Sequence, residues 1–341
     1  MCDEHLLAFL CVTQLDTRRP HAHTQSMSEK LAAFLSLSPK ESRLQLAPFL
    51  GEYVGPNCGR REAVEASVAQ TTGATSDEEW NELLTMFENL AQDFGPQPGH
   101  KLASDLLLSF VGPLLNTDST LKGLEHLDEA VAASDAGRRV MLICNHLGYA
   151  DTICTRGLLE RAGRGSVMGR LCPVAGPKVY LDPIRRMGVA SSPSIRVAQS
   201  SQLASNVAEF SPREVALIAR RCLADAGNEM DKGRIILLYP EGTRSRSGHM
   251  GPFLRAVARW LTIDGVLLLP LGQWGSEVID RVEDDYIRPG TVHAQFGPLL
   301  DSRLLADSGL NRIEVAGRAH EAVAQLLPEA YRPKTGAVRV I

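Results

Sequence analysis

The sequence predicts an α/β fold, a mainly parallel central sheet flanked by helices and preceded by a small N-terminal helical domain. Three observations predict it. Three short apolar runs, Val140-Met141-Leu142-Ile143-Cys144, Ile235-Ile236-Leu237-Leu238-Tyr239 and Val266-Leu267-Leu268-Leu269-Pro270-Leu271, have the length and unbroken hydrophobicity of strands buried on both faces. Helical stretches lie between these runs. Ahead of residue 115 the spacing is helical throughout. At 341 residues the chain is long enough to bury a large core and to hold two units.

Residues 1–27 are expected to be a disordered N-terminal segment. Leu6 to Leu10 is too short to span a membrane, and the flank Asp3-Glu4-His5 is not the basic flank of a secretory signal. Met27 is a second candidate start. Residues 28–115 are expected to form a helical bundle domain. Ser76-Asp77-Glu78-Glu79-Trp80 opens one helix with a capping residue and an acidic first turn. Trp80, Leu83, Leu84, Phe87, Leu90 and Phe94 follow at three- and four-residue spacing, and Gly95-Pro96 is the expected stop. A second helix is expected from about Leu102 to Leu115, carrying Leu106, Leu107 and Phe110. Packing against the next domain is the commoner use of such amphipathic helices, and peripheral contact with a membrane surface is the other.

Residues 116–341 are expected to be the α/β domain. After the first apolar run, Ser211-Pro212-Arg213-Glu214 starts a helix that continues through Ile218 to about Ala226, with proline at the first position and glutamate at the third. Arg255 to Ile263 is expected to be another. In open parallel sheets, sites gather at the C-terminal ends of strands. Two motifs lie there, Asn145-His146-Leu147-Gly148-Tyr149-Ala150-Asp151 after the first run and Pro240-Glu241-Gly242-Thr243-Arg244-Ser245 after the second.

Composition narrows the function classes. The hydrophobic share of 44% and charged share of 22% are ordinary for a globular protein. A net charge of −4 argues against whole-protein attraction to nucleic acid. Residues 1–115 carry 8 Lys/Arg against 15 Asp/Glu, a net of −7, whereas residues 170–260 carry 14 against 7, a net of +7. The basic middle points to an anionic ligand or surface, although most of these charges are expected to be solvated surface. Seven scattered cysteines without a Cys-x-x-Cys pair argue against a disulfide framework or a structural zinc site, and fit a reducing cytoplasm. Cys144, within an apolar run, reads as a small core residue. No run of eighteen apolar residues predicts a transmembrane helix.

The motifs carry the chemistry. His146 in the turn and Asp151 in the first helical turn are placed so that the carboxylate reaches one imidazole nitrogen. It would fix the tautomer, leaving the other nitrogen as a general base. No Gly-x-Ser-x-Gly elbow is present, so the substrate itself is expected to supply the hydroxyl. Asn145 is positioned to order the turn through backbone hydrogen bonds. Gly242 lets the chain turn close to a ligand, and Arg244 can hold phosphate oxygens bidentately, with Arg246 able to share that task. Glu241 would hydrogen-bond substrate hydroxyls or anchor an arginine. Each motif alone is more often structural, the first a stray histidine and aspartate and the second a surface turn with an internal ion pair.

Taken together, the motifs resemble those of the glycerolipid acyltransferase family, which includes glycerol-3-phosphate and lysophosphatidate acyltransferases. In that family Asn-His-x₄-Asp is the catalytic block and Pro-Glu-Gly-Thr-Arg-Ser the acceptor-binding block. The resemblance implies His146 and Asp151 as the catalytic dyad. It implies Asn145, Lys178, Glu241, Gly242, Thr243, Arg244 and Arg246 as candidate substrate-binding residues. A further block, an apolar run ending in proline, matches Val266 to Pro270, so the likeness covers about residues 138–300. A narrower resemblance is to the soluble plastid-type glycerol-3-phosphate acyltransferases, through Gly176-Pro177-Lys178-Val179-Tyr180-Leu181-Asp182-Pro183 and the longer insert through Arg220. That subfamily has a Lys-Lys-His run where this chain has Ser200-Ser201-Gln202, and Gly-Gly-Arg where this chain has Glu-Gly-Thr-Arg. Arg196, Lys178 and Arg185 are the candidates to restore the missing positive charge.

The implied activity is transfer of a fatty acyl group from acyl-CoA or acyl carrier protein to glycerol 3-phosphate, in phospholipid biosynthesis. The alternatives are a lysophosphatidate or other lysophospholipid or alcohol acyltransferase, a thioester hydrolase, and a non-catalytic lipid- or carrier-binding protein. The expected partners are the acyl donor and a phosphorylated small-molecule acceptor, at a cytoplasmic location with possible peripheral membrane contact. No cofactor and no metal is expected. The oxyanion of the reaction would need donors, expected to be backbone N–H groups near a helix start.

Overall fold

The computed structural model describes residues 30–55, 59–90, 93–181, 183–198, 210–281, 284, 286–336 and 339–341. The N-terminal segment 1–27 and Ser200-Ser201-Gln202 lie outside them. The helices before the sheet are α1 (Pro39–Tyr53), α2 (Arg61–Ala74), α3 (Asp77–Asn89) and α4 (Lys101–Val111), with the strand β1 (Gly95–Gln97) between the last two. There follow β2 (Thr120–Lys122), α5 (Leu124–Asp135), β3 (Val140–Cys144), α6 (Asp151–Arg161), β4 (Leu171–Ala175), α7 (Pro177–Leu181), α8 (Pro183–Ala190) and β5 (Ser194–Arg196). The last part holds α9 (Pro212–Asp231), β6 (Ile235–Leu238), β7 (Leu267–Trp274), β8 (His293–Phe296), β9 (Leu300–Asp301), α10 (Ser302–Asp307) and α11 (Arg312–Leu326).

The strands form one sheet in the order β1-β5-β4-β6-β3-β7-β8-β2, with β9 beside β7. Its centre is parallel. β3 lies between β6 and β7, with Ile143 opposite Leu238 on one side and Pro270 on the other. The three strands read from apolar runs are present. Their side chains alternate between two cores, as the two-residue period of a strand requires. Val140, Leu142 and Cys144 join one cluster together with Leu46 of α1, Phe110 of α4 and Cys154 and Leu158 of α6. Met141 and Ile143 join the other, with Cys222, Ala226 and Met230 of α9 and Ala316, Ala319 and Val323 of α11. The N-terminal helices therefore pack on the core of one sheet face.

Helix starts follow local chemistry. Ser76 and Ser211 each form a capping box, with Glu79 and Glu214 returning to the cap backbone. Trp80 and Leu83 bury the inner face of α3, and the Trp80 indole N–H donates to the Ser42 hydroxyl at 3.1 Å. Three expectations change. The helix from Ser76 stops at Asn89 rather than at Gly95-Pro96, and Gly95–Gln97 is instead an edge strand, antiparallel to β5. An edge position tolerates Pro96 because no ladder partner needs its missing N–H. The helix expected over Arg255 to Ile263 is a short 3₁₀ helix, Arg255–Arg259. The second N-terminal helix ends at Val111, and a 3₁₀ turn with Pro113 in it, Gly112–Leu114, completes the stretch. Among the described residues no helix is long and apolar enough to cross a membrane.

Candidate active site

Topology brings the two motifs together. β3 and β6 are adjacent and parallel, so the turns that leave their C-terminal ends emerge side by side. Asn145, two residues past the Ile143–Leu238 pair, is buried. Its amide donates to the Gln273 carbonyl at 2.9 Å and accepts the Gln273 N–H at 2.8 Å. The side chain thus stands in for a strand neighbour and clamps the β3 turn to the end of β7. It orders the turn, as its residue type foretold, but through a partner 128 residues away.

The next residue is His146, whose Nδ1 lies 2.8 Å from Asp151 Oδ2. Asp151 is the first residue of α6 and is 1% exposed. A buried carboxylate must be satisfied by donors. Beyond His146, it accepts the Leu147 N–H at 2.7 Å, the Gly148 N–H at 3.0 Å and the Ser276 hydroxyl at 2.7 Å. Because an ionised carboxylate only accepts, the proton between the pair is assigned to Nδ1. That leaves Nε2 for chemistry. The imidazole stacks on Tyr239, ring centroids 4.3 Å apart and 25° between planes. The Tyr239 hydroxyl pairs with Thr152 at 2.8 Å, and burial pushes its phenol well above its ordinary value. Tyr239 is therefore a protonated wall behind the imidazole.

The second motif is stitched to the first. The His146 N–H donates to Glu241 Oε1 at 2.8 Å, and the Ser245 N–H donates to the His146 carbonyl at 2.7 Å. Glu241 is buried, and its other oxygen accepts the Gly251 N–H at 2.7 Å. Both oxygens are thus engaged by backbone, and no described arginine pairs with them. Burial pushes this carboxyl up to about 7, against the pull of the two backbone donors and with a smaller push from Asp151. Gly242 has φ +67°, a left-handed conformation that favours glycine, and a Cβ there would have to displace the end of the exposed Leu254 side chain.

Arg244 lays its guanidinium over the ring of Tyr149, 3.8 Å from the centroid. The Arg185 guanidinium, from α8, lies 3.6 Å from the same centroid. Thr243 and Arg246 are exposed on the same turn. Lys178 is exposed on α7, and no described contact joins it to the dyad. Arg196 is turned elsewhere, its guanidinium 4.6 Å from the Phe94 ring centroid. Of the three candidates to restore positive charge, Arg185 alone is placed with Arg244.

Several site residues escaped sequence reasoning. Gln273 and Ser276 lie just past the third apolar run, whose strand end was itself a signal. Tyr239 ends the second run and Tyr149 lies inside the first motif, but neither spacing announces a stacking partner. Cys144 and Cys154 are buried in the adjoining core, where burial pushes both thiols well above their ordinary values. That makes them poor nucleophiles.

A histidine held by a buried aspartate at the C-terminal edge of a parallel sheet, with arginine on the neighbouring turn, can take a proton from a hydroxyl and hold an anion beside it. Residues 119–273 match the family model described as Acyltransferase, a span that takes in both motifs and ends at Gln273. The match covers 155 of the chain's 341 residues. In solved structures it is similar to the 1-acyl-sn-glycerophosphate (LPA) acyltransferase PlsC of Thermotoga maritima, at a TM-score of 0.45 and 16% identity over 82% of this chain and 97% of that one. Values that low carry no argument about substrate. No curated protein matches the chain.

Proposed function

We propose that the protein is an O-acyltransferase that moves a fatty acyl group from a thioester, acyl-CoA or acyl carrier protein, to the hydroxyl of glycerol 3-phosphate in phospholipid biosynthesis. The observation that carries this is the His146–Asp151 pair, satisfied on every side and joined by backbone hydrogen bonds to the turn that bears Arg244. His146 Nε2 takes the proton of the acceptor hydroxyl. The oxygen attacks the thioester carbonyl carbon, and the carbonyl electron pair moves onto its oxygen. As this oxyanion collapses, the carbon–sulfur bond breaks and the departing thiolate takes the proton from the imidazolium. Asp151 holds Nδ1–H and stabilises the imidazolium. A positioned base of this kind contributes roughly 10²–10⁴-fold in rate.

In this reading Arg244 engages the acceptor phosphate, while Glu241, Gly242 and Asn145 shape the two turns. Thr243, Arg246 and Lys178 lie at the rim. The anionic donor would approach the basic middle of the chain, at a cytoplasmic site with peripheral membrane contact. The reaction as written needs no cofactor. Glu-Gly-Thr-Arg at 241–244 favours lysophosphatidate as the second acceptor to test.

The test incubates the purified full chain with labelled acyl-CoA or acyl carrier protein and with glycerol 3-phosphate, lysophosphatidate, other lysophospholipids or simple alcohols, then reads products by mass spectrometry. Acylated glycerol 3-phosphate is the expected product. Acylation of lysophosphatidate alone would move the assignment to that acceptor, and fatty acid released without any alcohol would make the protein a hydrolase. His146→Ala is expected to lower transfer by at least 10²-fold, on the order of a general base's worth. Full activity in that variant would sink the mechanism.

A further inference from the structure

Tyr149 is the one aromatic residue inside the first motif, and it carries two arginines. The guanidiniums of Arg185 and Arg244 lie 3.6 and 3.8 Å from its ring centroid. Two groups that close to one centroid take opposite faces, since on one face they would overlap. The ring therefore spaces two planar cations, with cation–π attraction on each side. The arginines arrive from separate elements, Arg185 from α8 and Arg244 from the turn after β6. Tyr149 itself stands between His146 and Asp151, and the residue after Arg244 donates its N–H to the His146 carbonyl at 2.7 Å. Both charges are thus held in the same cluster of turns as the base.

A doubly charged oxyanion at the ring edge would lie within reach of both cations. Arginine's planar fork suits phosphate oxygens. We propose that Arg185, Tyr149 and Arg244 form one phosphate clamp. Its ligand is the phosphomonoester dianion of the acceptor, and Arg185, which lies outside both motifs, is the specificity-determining residue. The proposal rests on the acyl-transfer reading above for the identity of its ligand. It gives that reading the positive charge whose usual run is replaced by Ser200-Ser201-Gln202. The competing source of phosphate is the donor, whose pantetheine arm carries a phosphodiester.

Two measurements test the clamp. Steady-state kinetics would compare the wild type with Arg185→Ala, Arg185→Lys, Tyr149→Leu and Tyr149→Phe, each first shown to melt like the wild type. Loss of a charge-assisted contact predicts an acceptor KM about 10- to 100-fold higher in Arg185→Ala, with the loss falling on KM rather than kcat. The preference for a phosphorylated over an unphosphorylated alcohol should collapse by the same factor. Arg185→Lys should recover part of it, and Tyr149→Phe should do better than Tyr149→Leu. A raised donor KM with the acceptor KM unmoved would overturn the proposal in favour of the donor's phosphate. Titration calorimetry with glycerol 3-phosphate needs no turnover. Binding that weakens in Arg185→Ala upholds the clamp even where the wild type transfers no acyl group, in which case the functional reading alone fails. Equal binding by the wild type and Arg185→Ala, or no binding by the wild type, removes the clamp.

Discussion

Asp151 and Glu241 are both buried carboxylates, and their neighbours give them different tasks. Asp151 faces four donors, one of them the imidazole, so its charge is spent on orienting His146. Glu241 faces two backbone N–H groups and, among the described residues, no cation, so burial dominates and its carboxyl rises from 4.5 to about 7. The sign of the consequence follows. Between pH 4.5 and 7 the folded state holds a proton that the unfolded chain has released, so this residue lowers stability as pH rises through that window. The full effect is about 3 kcal/mol. Urea melts of the wild type and Glu241→Gln from pH 4.5 to 7.5 check it. The wild type should lose stability relative to the variant as pH rises, and parallel profiles would show that the carboxyl is not titrating there. Its type and place in the sequence allowed Glu241 to hydrogen-bond substrate hydroxyls or to anchor an arginine. Its two backbone partners, one of them Gly251 ten residues on, were not readable from a motif.

At the scale of elements, caps and long buried strands were legible, and the shortest strands were not. Ser76 and Ser211 announce their helices through a local hydrogen-bond pattern that needs no tertiary partner. Ser211→Ala should therefore cost about 1 kcal/mol of stability, read as a shift in urea midpoint at constant slope. A midpoint unchanged from the wild type would mean that α9 is held by packing alone. The helix outlasts its expected end at Ala226 by five residues, to Asp231, because Met230 is still buried against the sheet. β1, β2, β5 and β9 are two or three residues long, too short to show any period. Pro96 and the helix-like spacing ahead of it pointed away from a strand, and pairing with β5 overrode both.

At the scale of the whole molecule, the register of β3 against β6 makes the site. Motifs ninety-odd residues apart in sequence become neighbours because Ile143 pairs with Leu238, and Asn145 then ties the first turn to β7. Asn145→Ala would leave the Gln273 N–H and C=O unpaired in the interior, at about 1–3 kcal/mol for each group. The variant should melt well below the wild type. Its kcat should also fall about tenfold or more, since a displacement of the base near 1 Å is costly. Wild-type kcat in a variant with a lowered melting temperature would show that the turn holds its shape without the clamp.

By itself the sequence determined the α/β class, the capped starts of α3 and α9, the three central strands and two motifs that together resemble those of the glycerolipid acyltransferases. These are written in local spacing, where residues a few positions apart decide the outcome. Only the tertiary structure decided which groups face one another. Ser276 reaches the Asp151 carboxylate, Glu241 turns to backbone, and Arg185 rather than Lys178 or Arg196 comes to lie beside Arg244. Those choices depend on strand register and on how helices dock, and no short window of sequence contains either.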